Sequence, residues 1–227
     1  TSPCLEPREE ILSLWRAFDP LSFESRSRAL RLGEIIPVVS GGPYRPDGEI
    51  AVVLEGCILL DDGKRGTHCG VAAAGDLIDI AGGSPGLWLS NGLVYRAPVA
   101  AFCREAGEEG IQFLLSGGVK RLRAMETRLR CAMSHGSISR VASFLLDIHR
   151  ATGGFEIALS QSNIGALLSL RRSSINQACQ SLRAAGALRT VRGRILLKDE
   201  AVLASVACCH YRPQSPAFAE AIAAEAA

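Results

Sequence analysis

The sequence predicts an α+β protein built in three consecutive parts: an antiparallel β domain, a long helix, and a small helical domain that ends in a β-hairpin. Three observations carry this prediction. Short apolar runs separated by Gly, Pro and Asp recur between residues 33 and 103. Leucines then repeat every seven residues from Leu115 to Leu129. Finally, the stretch Ile157–Lys198 carries seven basic side chains and no acidic one.

The composition is that of a folded globular protein. The chain has 227 residues, of which 48% are hydrophobic and 21% charged, and this excludes a wholly disordered or a fibrous chain. It contains no run of about 18 apolar residues that could span a bilayer. Acidic residues (Glu6, Glu9 and Glu10) stand where a secretory signal would carry positive charge, so we expect a cytoplasmic protein without membrane contact.

Eight cysteines are spread along the chain, but they do not suggest a disulfide framework. No C-x-x-C pair occurs, and a reducing cytoplasm keeps thiols reduced. We expect most of them to be small buried hydrophobic side chains. They are Cys4, Cys57, Cys69, Cys103, Cys131, Cys179, Cys208 and Cys209.

The N-terminal part is predicted to be a helix followed by strands. Residues 8–32 have helical periodicity with a break at Pro20. The glycine-punctuated runs that follow indicate an antiparallel roll, barrel or sandwich of about 70 residues. The predicted strands are Ile50–Leu54, Cys57–Leu60, Gly70–Ala73, Leu87–Leu89 and Leu93–Arg96.

A long helix from about residue 108 to 134 is predicted next, with an apolar seam at heptad spacing. Such a seam is typical of a parallel dimer. The alternative is that this stripe packs against the chain's own β domain. The predicted dimer residues are Leu115, Val119, Leu122, Glu126, Leu129 and Met133. Ser137 is predicted to cap the next helix, which runs to about Arg150.

Two short helices and a hairpin are predicted within the basic stretch. The first helix is Gln161–Leu168, Ser169–Leu170 forms the turn, and the second helix is Arg172–Ala184. Gly165 allows the two helices to cross closely, and this spacing fits a helix-turn-helix. The runs Leu188–Val191 and Arg194–Leu197 pair across Gly193 as a wing. The residues expected to point inward are Ile164, Leu167, Leu168, Ile175, Ala178, Cys179 and Leu182.

Such a module binds double-stranded DNA, because an α-helix fits the major groove of B-DNA. Arginine pairs bidentately with guanine, and glutamine or asparagine pairs with adenine. Arginines of the wing suit backbone phosphates. The predicted DNA-binding residues are Ser160, Gln161, Arg171, Arg172, Ser173, Ser174, Asn176, Gln177, Gln180, Arg189, Arg192 and Arg194.

Residues 10–212 resemble the Crp/Fnr family of the cyclic-AMP receptor protein and the fumarate–nitrate regulator. The resemblance is carried by SISRVASFLL at 137–146, by LSQSNIGALLSLRRSSINQACQSLRAAGAL at 159–188 and by RGRILL at 192–197. It implies a homodimeric transcription regulator with RNA polymerase as a further partner. The implied parts are a β-roll sensor like that of cyclic-nucleotide-binding proteins (residues 1–107), a dimerisation helix (108–135), a winged helix-turn-helix (136–212) and a tail (213–227).

The sequence departs from the family pattern in two places. Many members carry Glu and Arg on the recognition helix where this chain has Ser173 and Gln177, whereas Arg172 matches. Members that bind cyclic nucleotides follow the Gly-Asp turn with Gly-Glu and later carry Arg-Ser/Thr-Ala around the phosphate. After Gly75–Asp76 this chain has neither, and its next arginine is Arg96. Because a buried phosphate without a cation is costly, we expect no cyclic-nucleotide binding.

The sequence does not identify the signal to which such a regulator would respond. An oxygen-sensing iron–sulfur cluster needs several N-terminal cysteines, and only Cys4 is present. His68–Cys69 could be haem or metal ligands, but a surface turn is the commoner setting, and Cys179 is expected to lie in the core. We therefore predict no cofactor and no metal. The alternatives are a ligand-independent regulator or a thiol- or haem-responsive one.

One enzyme signature is present. Gly82–Gly86 satisfies G-x-S-x-G, which would make Ser84 the nucleophile of a serine hydrolase, with His149 or His210 as the base. Strand-like residues follow Gly86, however, where the motif requires a helix. A turn between two strands explains the same residues, so we predict that the protein is not an enzyme.

Overall fold

The computed structural model describes residues 16–61, 68–80, 82–191 and 194–208, without the side chains of His68 and Cys69. The predicted helix before residue 16 and the tail 213–227 lie outside this part. The predicted break at Pro20 is confirmed, because helix α1 begins only at Phe23 and ends at Leu32. The Ser22 side chain accepts a hydrogen bond from the Ser25 backbone N–H and caps this helix.

Eight strands form two antiparallel four-stranded sheets packed face to face, which confirms the predicted β-roll. One sheet has the order β1-β8-β3-β6 and the other β2-β7-β4-β5. The strands are β1 (Glu34–Val38), β2 (Pro43–Tyr44), β3 (Glu49–Glu55), β4 (Cys57–Asp61), β5 (His68–Ala73), β6 (Leu77–Ile80), β7 (Gly86–Trp88) and β8 (Gly92–Pro98). Strands β1, β2 and β6 were missed by the sequence prediction; β1 and β2 contain a proline, and β2 has only two residues.

The roll has two apolar cores. One lies between the sheets and includes Tyr44, Ile58, Ile78 and Trp88. The other lies between the first sheet and the helices, where the Phe18 ring packs at 5.0 Å from Tyr95 and at 5.1 Å from Phe113. This aromatic cluster fixes the long helix on the roll.

The long helix α2 spans Val99–Ser134; its part after a kink at Gly107 coincides with the helix predicted from about residue 108 to 134, and the segment before the kink was not predicted. Gly107 interrupts it with φ 57° and ψ −141°, which is backbone that glycine adopts at low cost. Phe102 on the first segment and Phe113 on the second both join the aromatic cluster, so both segments are held against the roll. A Cβ at Gly117 would lie 2.8 Å from Leu77 Cδ2, so this glycine allows the close approach of α2 to β6.

The C-terminal part has a core of helices and a small sheet, which Leu59 of strand β4 also joins. Its elements are α3 (Ser137–Thr152), β9 (Glu156–Ile157), α4 (Gln161–Leu167), α5 (Arg172–Ala184), β10 (Leu188–Val191), β11 (Arg194–Leu197) and α6 (Glu200–Val206). Ser137 is the first residue of α3 and Gly136 is its N-cap, which corrects the predicted cap. No helix in the described part of the chain is long and apolar enough to cross a membrane.

Candidate nucleic-acid interface

Helices α4 and α5 form the predicted helix-turn-helix. A reciprocal capping box starts α4: Ser160 Oγ accepts from the Asn163 backbone N–H at 3.1 Å, and Asn163 Oδ1 accepts from the Ser160 backbone N–H at 3.2 Å. The turn contains Ser169 with φ +51°, a left-handed conformation that costs a non-glycine residue energy. A Cβ at Gly165 would lie 3.4 Å from Ile175 Cγ2, so the crossing has room for alanine at most.

Helix α5 has one buried and one exposed face. The predicted inward side chains of α5 are all buried, namely Ile175, Ala178, Cys179 and Leu182. The predicted DNA-reading side chains lie on the other face: Arg171, Arg172, Ser173, Asn176, Gln177 and Gln180 are exposed, and Ser174 is half-buried. Ser160 and Gln161, at the start of α4, are half-buried beside them. The exposed face of α5 thus carries hydrogen-bond donors and cations and no carboxylate.

The two helices enclose a shallow depression of about 380 Å³. Its lining includes Gln161, Ser162, Arg172 and Asn176, which brings polar side chains of both helices to one surface. Arg140 on α3 donates to the Leu168 carbonyl, which fixes the turn on the third helix of this core.

The wing has the predicted strand bounds, and β9 adds a third strand to it. Arg189 is exposed, whereas Arg194 Nη1 donates to Glu156 Oε1 at 2.6 Å, so part of its charge is compensated. Glu156 lies one residue before the acid-free stretch, and for this reason the sequence prediction missed the pair. Arg183 Nη2 donates to Thr190 Oγ1 at 3.2 Å and ties α5 to the wing. Arg192 lies outside the described residues.

The predicted seam on α2 is exposed along its length within one chain. Leu115, Leu122 and Leu129 are 64%, 56% and 62% exposed, and Met133 is 80% exposed. Val119 and Glu126 are also exposed. The opposite face, with Phe113 and Leu114, packs on the roll. The alternative that this stripe covers its own β domain is therefore wrong. The structure adds Ile111 and Met125 to the exposed apolar surface.

The segment that follows the Gly75–Asp76 turn folds back on a buried aspartate. Asp79 is fully buried; it accepts from Tyr44 Oη at 3.1 Å and from the Gly82 backbone N–H at 2.9 Å. Burial and the neighbouring Asp79 carboxylate raise the pKa of Tyr44 well above its ordinary value. Arg121 of α2 donates to the Ile78 carbonyl at 2.6 Å and to Ser84 Oγ at 2.8 Å. These hydrogen bonds hold the segment against helix α2.

Arg96, the first arginine after the Gly75–Asp76 turn, forms ion pairs within the roll. It forms ion pairs with Asp47 and with Glu49, the second at 3.1 Å. Two carboxylates therefore compete with any anion for its guanidinium group.

The hydrolase alternative is wrong, because its motif lies in the wrong structural setting. Gly82–Gly86 leads into strand β7, whereas a nucleophile elbow must lead into a helix. Ser84 Oγ accepts a hydrogen bond from Arg121. His149 lies in the C-terminal core, where its Nδ1 is 3.0 Å from the Gly154 carbonyl oxygen. His210 lies outside the described residues.

Two buried thiols are held in the protonated state. Burial raises the pKa of Cys57 to about 12, with Asp147 and Asp76 adding to the shift. Burial also raises the pKa of Cys179, against the lowering effect of Arg183. The expectation that Cys179 is a core residue is confirmed. The side chains of His68 and Cys69 lie outside the described residues.

Residues 139–206 match the family model of the Crp-like helix-turn-helix domain. The C-terminal part is thus similar to a Crp-like helix-turn-helix domain. No curated protein matches the chain. The fold of the chain is similar to that of solved structures of Crp/Fnr regulators.

Three of those structures illustrate the similarity in fold. A putative Crp/Fnr regulator from Eubacterium rectale is 15% identical, with 85% of this chain and 98% of that chain covered and a TM-score of 0.66. FixK2 from Bradyrhizobium japonicum is 19% identical, with coverages of 78% and 98% and a TM-score of 0.60. The c-di-GMP-responsive regulator CLP from Xanthomonas campestris is 14% identical, with coverages of 77% and 98% and a TM-score of 0.59.

Proposed function

We propose that the protein is a homodimeric transcription regulator that binds an inverted-repeat operator and does not respond to cyclic nucleotides. The observation that carries this proposal is the exposed face of α5. It carries Arg172, Asn176, Gln177 and Gln180, and the opposite face of the same helix is anchored in the core. Side chains of these types read base edges in the major groove.

The exposed residues have different roles in the proposed complex. Arg172 and Gln177 are five residues apart, about 140° around the helix axis at 3.6 residues per turn, and so flank the groove floor. Arg172 donates to O6 and N7 of a guanine, and Gln177 pairs with an adenine. Arg189 neutralises a phosphate and fixes the register without reading sequence. Arg194 contributes less affinity than Arg189, because Glu156 already compensates its charge.

The homodimer is supported by the exposed seam of α2. Three leucines at heptad spacing stand open to solvent on one face, which is the arrangement that a twin helix covers in a parallel coiled coil. A twofold dimer presents two recognition helices to successive major grooves. The operator is then an inverted repeat with half-site centres about 34 Å apart.

The lack of a cyclic-nucleotide response is supported by the described part of the roll. Tyr44, Ile58 and Trp88 occupy the space between the sheets, and Arg96 is paired with two carboxylates. A cyclic phosphate bound by Arg96 would have to break those pairs. Calorimetric titration with cyclic AMP and cyclic GMP should therefore show no heat of binding at micromolar concentration, and saturable heat would contradict this part.

Selection from a random duplex library tests the DNA-binding function. The full-length protein should enrich an inverted repeat whose half-site centres are about one helical turn apart, and its affinity should fall steeply with salt. A test variant carries Gln177→Ala and Gln180→Ala, two exposed changes that leave the core of α5 intact. It should enrich a different or weaker motif. The absence of any enriched motif with the unchanged protein would contradict the proposal.

A further inference from the structure

Two thiols and an imidazole from distant parts of the sequence meet where the long helix joins the C-terminal core. Cys131 lies on the last turn of α2, His135 ends that helix, and Cys208 follows α6. Their ligand atoms, the two Sγ atoms and one imidazole nitrogen, all lie within 4.8 Å of one another.

The chemistry of this cluster is that of a thiophilic metal site. Zn²⁺ binds Cys sulfur at about 2.3 Å and His nitrogen at about 2.0–2.1 Å in a tetrahedron, which places ligand atoms about 3.5–3.8 Å apart. The present separations, at most 4.8 Å, exceed that distance by about 1.3 Å at most. Soft thiolate and imidazole donors select zinc-like cations over Mg²⁺ or Ca²⁺, which prefer oxygen.

The backbone holds the three ligands in place without a metal. The His135 backbone N–H donates to the Cys131 carbonyl at 3.0 Å, so these two residues close the last turn of α2. The Cys208 backbone N–H donates to Ser143 Oγ at 2.9 Å, which anchors Cys208 on α3. Cys131 is 8% exposed and Cys208 is 2% exposed, and both remain thiols.

We propose that Cys131, His135 and Cys208 bind one Zn²⁺ or a chemically similar cation, and that this metal clamps the C-terminal core to the long helix. Both thiols lose their protons to solvent as they bind, and His135 binds as neutral imidazole. Three protein ligands leave one tetrahedral position for water or a further ligand. The clamp joins the proposed dimerisation helix to the DNA-binding domain, so its regulatory role rests on the proposed function.

Cobalt titration of the reduced, chelator-stripped full-length protein tests the site. Co²⁺ should give a thiolate charge-transfer band and intense tetrahedral ligand-field bands that saturate at about one ion per chain, and Zn²⁺ should displace it with release of protons. Cys131→Ser, His135→Ala and Cys208→Ser should each weaken binding by about 100-fold or more, because each removes a direct ligand.

Cys103→Ser is the matched control, since it removes a half-buried thiol from the same helix away from the cluster, and it should leave the titration unchanged. Because Cys208 is buried, Cys208→Ser could unfold the domain. His135→Ala removes a half-buried side chain and keeps the test decisive. Absence of the charge-transfer band, its persistence in both Cys131→Ser and His135→Ala, or a Cys131–Cys208 disulfide formed in place of metal binding would overturn the site.

The clamp is tested by the affinity for the selected operator with and without Zn²⁺. That affinity should change about 5-fold or more in the unchanged protein and in Cys103→Ser, but not in His135→Ala. Equal affinity in both states would overturn the clamp. If the protein bound no DNA at all, the proposed function would fail, while the cobalt spectrum would still decide the metal site.

Discussion

Replacing Leu122 by alanine should weaken the dimer by a predictable amount. Leu122 is 56% exposed within one chain, and complete burial of a leucine side chain is worth about 1.5–3 kcal/mol. Burying that fraction against a twin helix is thus worth about 1–1.5 kcal/mol for each protomer. The twofold axis applies the change twice, so the dimer should lose about 2–3 kcal/mol. That loss raises its dissociation constant about 30- to 150-fold.

Sedimentation equilibrium over a range of protein concentrations measures this constant directly. Leu87→Ala is the matched control, because it makes the same substitution at a 36% exposed leucine on strand β7, away from the seam. It should leave the dissociation constant unchanged. Equal constants for Leu122→Ala and the unchanged protein, or an equal shift in the control, would refute the assignment of the seam.

Three further predictions concern the turn, the long helix and the thiols. Ser169→Gly should raise the melting temperature by about 2–4 °C, because glycine adopts the left-handed conformation of Ser169 at a cost lower by up to about 1 kcal/mol. An unchanged or lower melting temperature would contradict the backbone strain at Ser169. Gly118→Ala should raise the free energy of unfolding, measured in urea, by about 0.5–1 kcal/mol. Gly117→Ala should raise it less, because its Cβ would lie 2.8 Å from Leu77 Cδ2 on strand β6. Equal increases in the two variants would contradict that close packing. Cys57 and Cys179 should react slowly with iodoacetamide in the native protein, because burial shields both thiols and raises their pKa. Rapid labelling of either cysteine, measured by peptide mass spectrometry, would contradict this burial.

The C-terminal part was the most predictable from sequence. The wing strands fall at the predicted bounds, and the inward residues of α5 are all buried, because helical and strand periodicities there are uninterrupted. The roll was less predictable. Strand β1 contains Pro37 and β2 has only two residues, so neither shows the alternation by which a strand is recognised.

Features that depend on tertiary contacts could not be read from the sequence. The helical segment before the kink at Gly107 was missed, because Phe102 holds it against the roll through the same aromatic core that contains Phe113. The ion pair between Arg194 and Glu156 depends on the pairing of β11 with β9. The proximity of Cys208 to Cys131 and His135 depends on how the last helix packs, and no local sequence spacing predicts it.

The central claim is that α5 reads bases while the wing binds the backbone, and one measurement tests it most directly. Binding of Arg172→Ala and Arg189→Ala is measured across a library of single-base variants of the selected operator. Arg172→Ala should lose discrimination at one guanine position in each half-site, worth about 1–3 kcal/mol. Arg189→Ala should weaken every site alike and reduce the salt dependence by about one unit of slope. If Arg172→Ala keeps both the affinity and the base preference of the unchanged protein, the assignment of α5 as the recognition helix is contradicted.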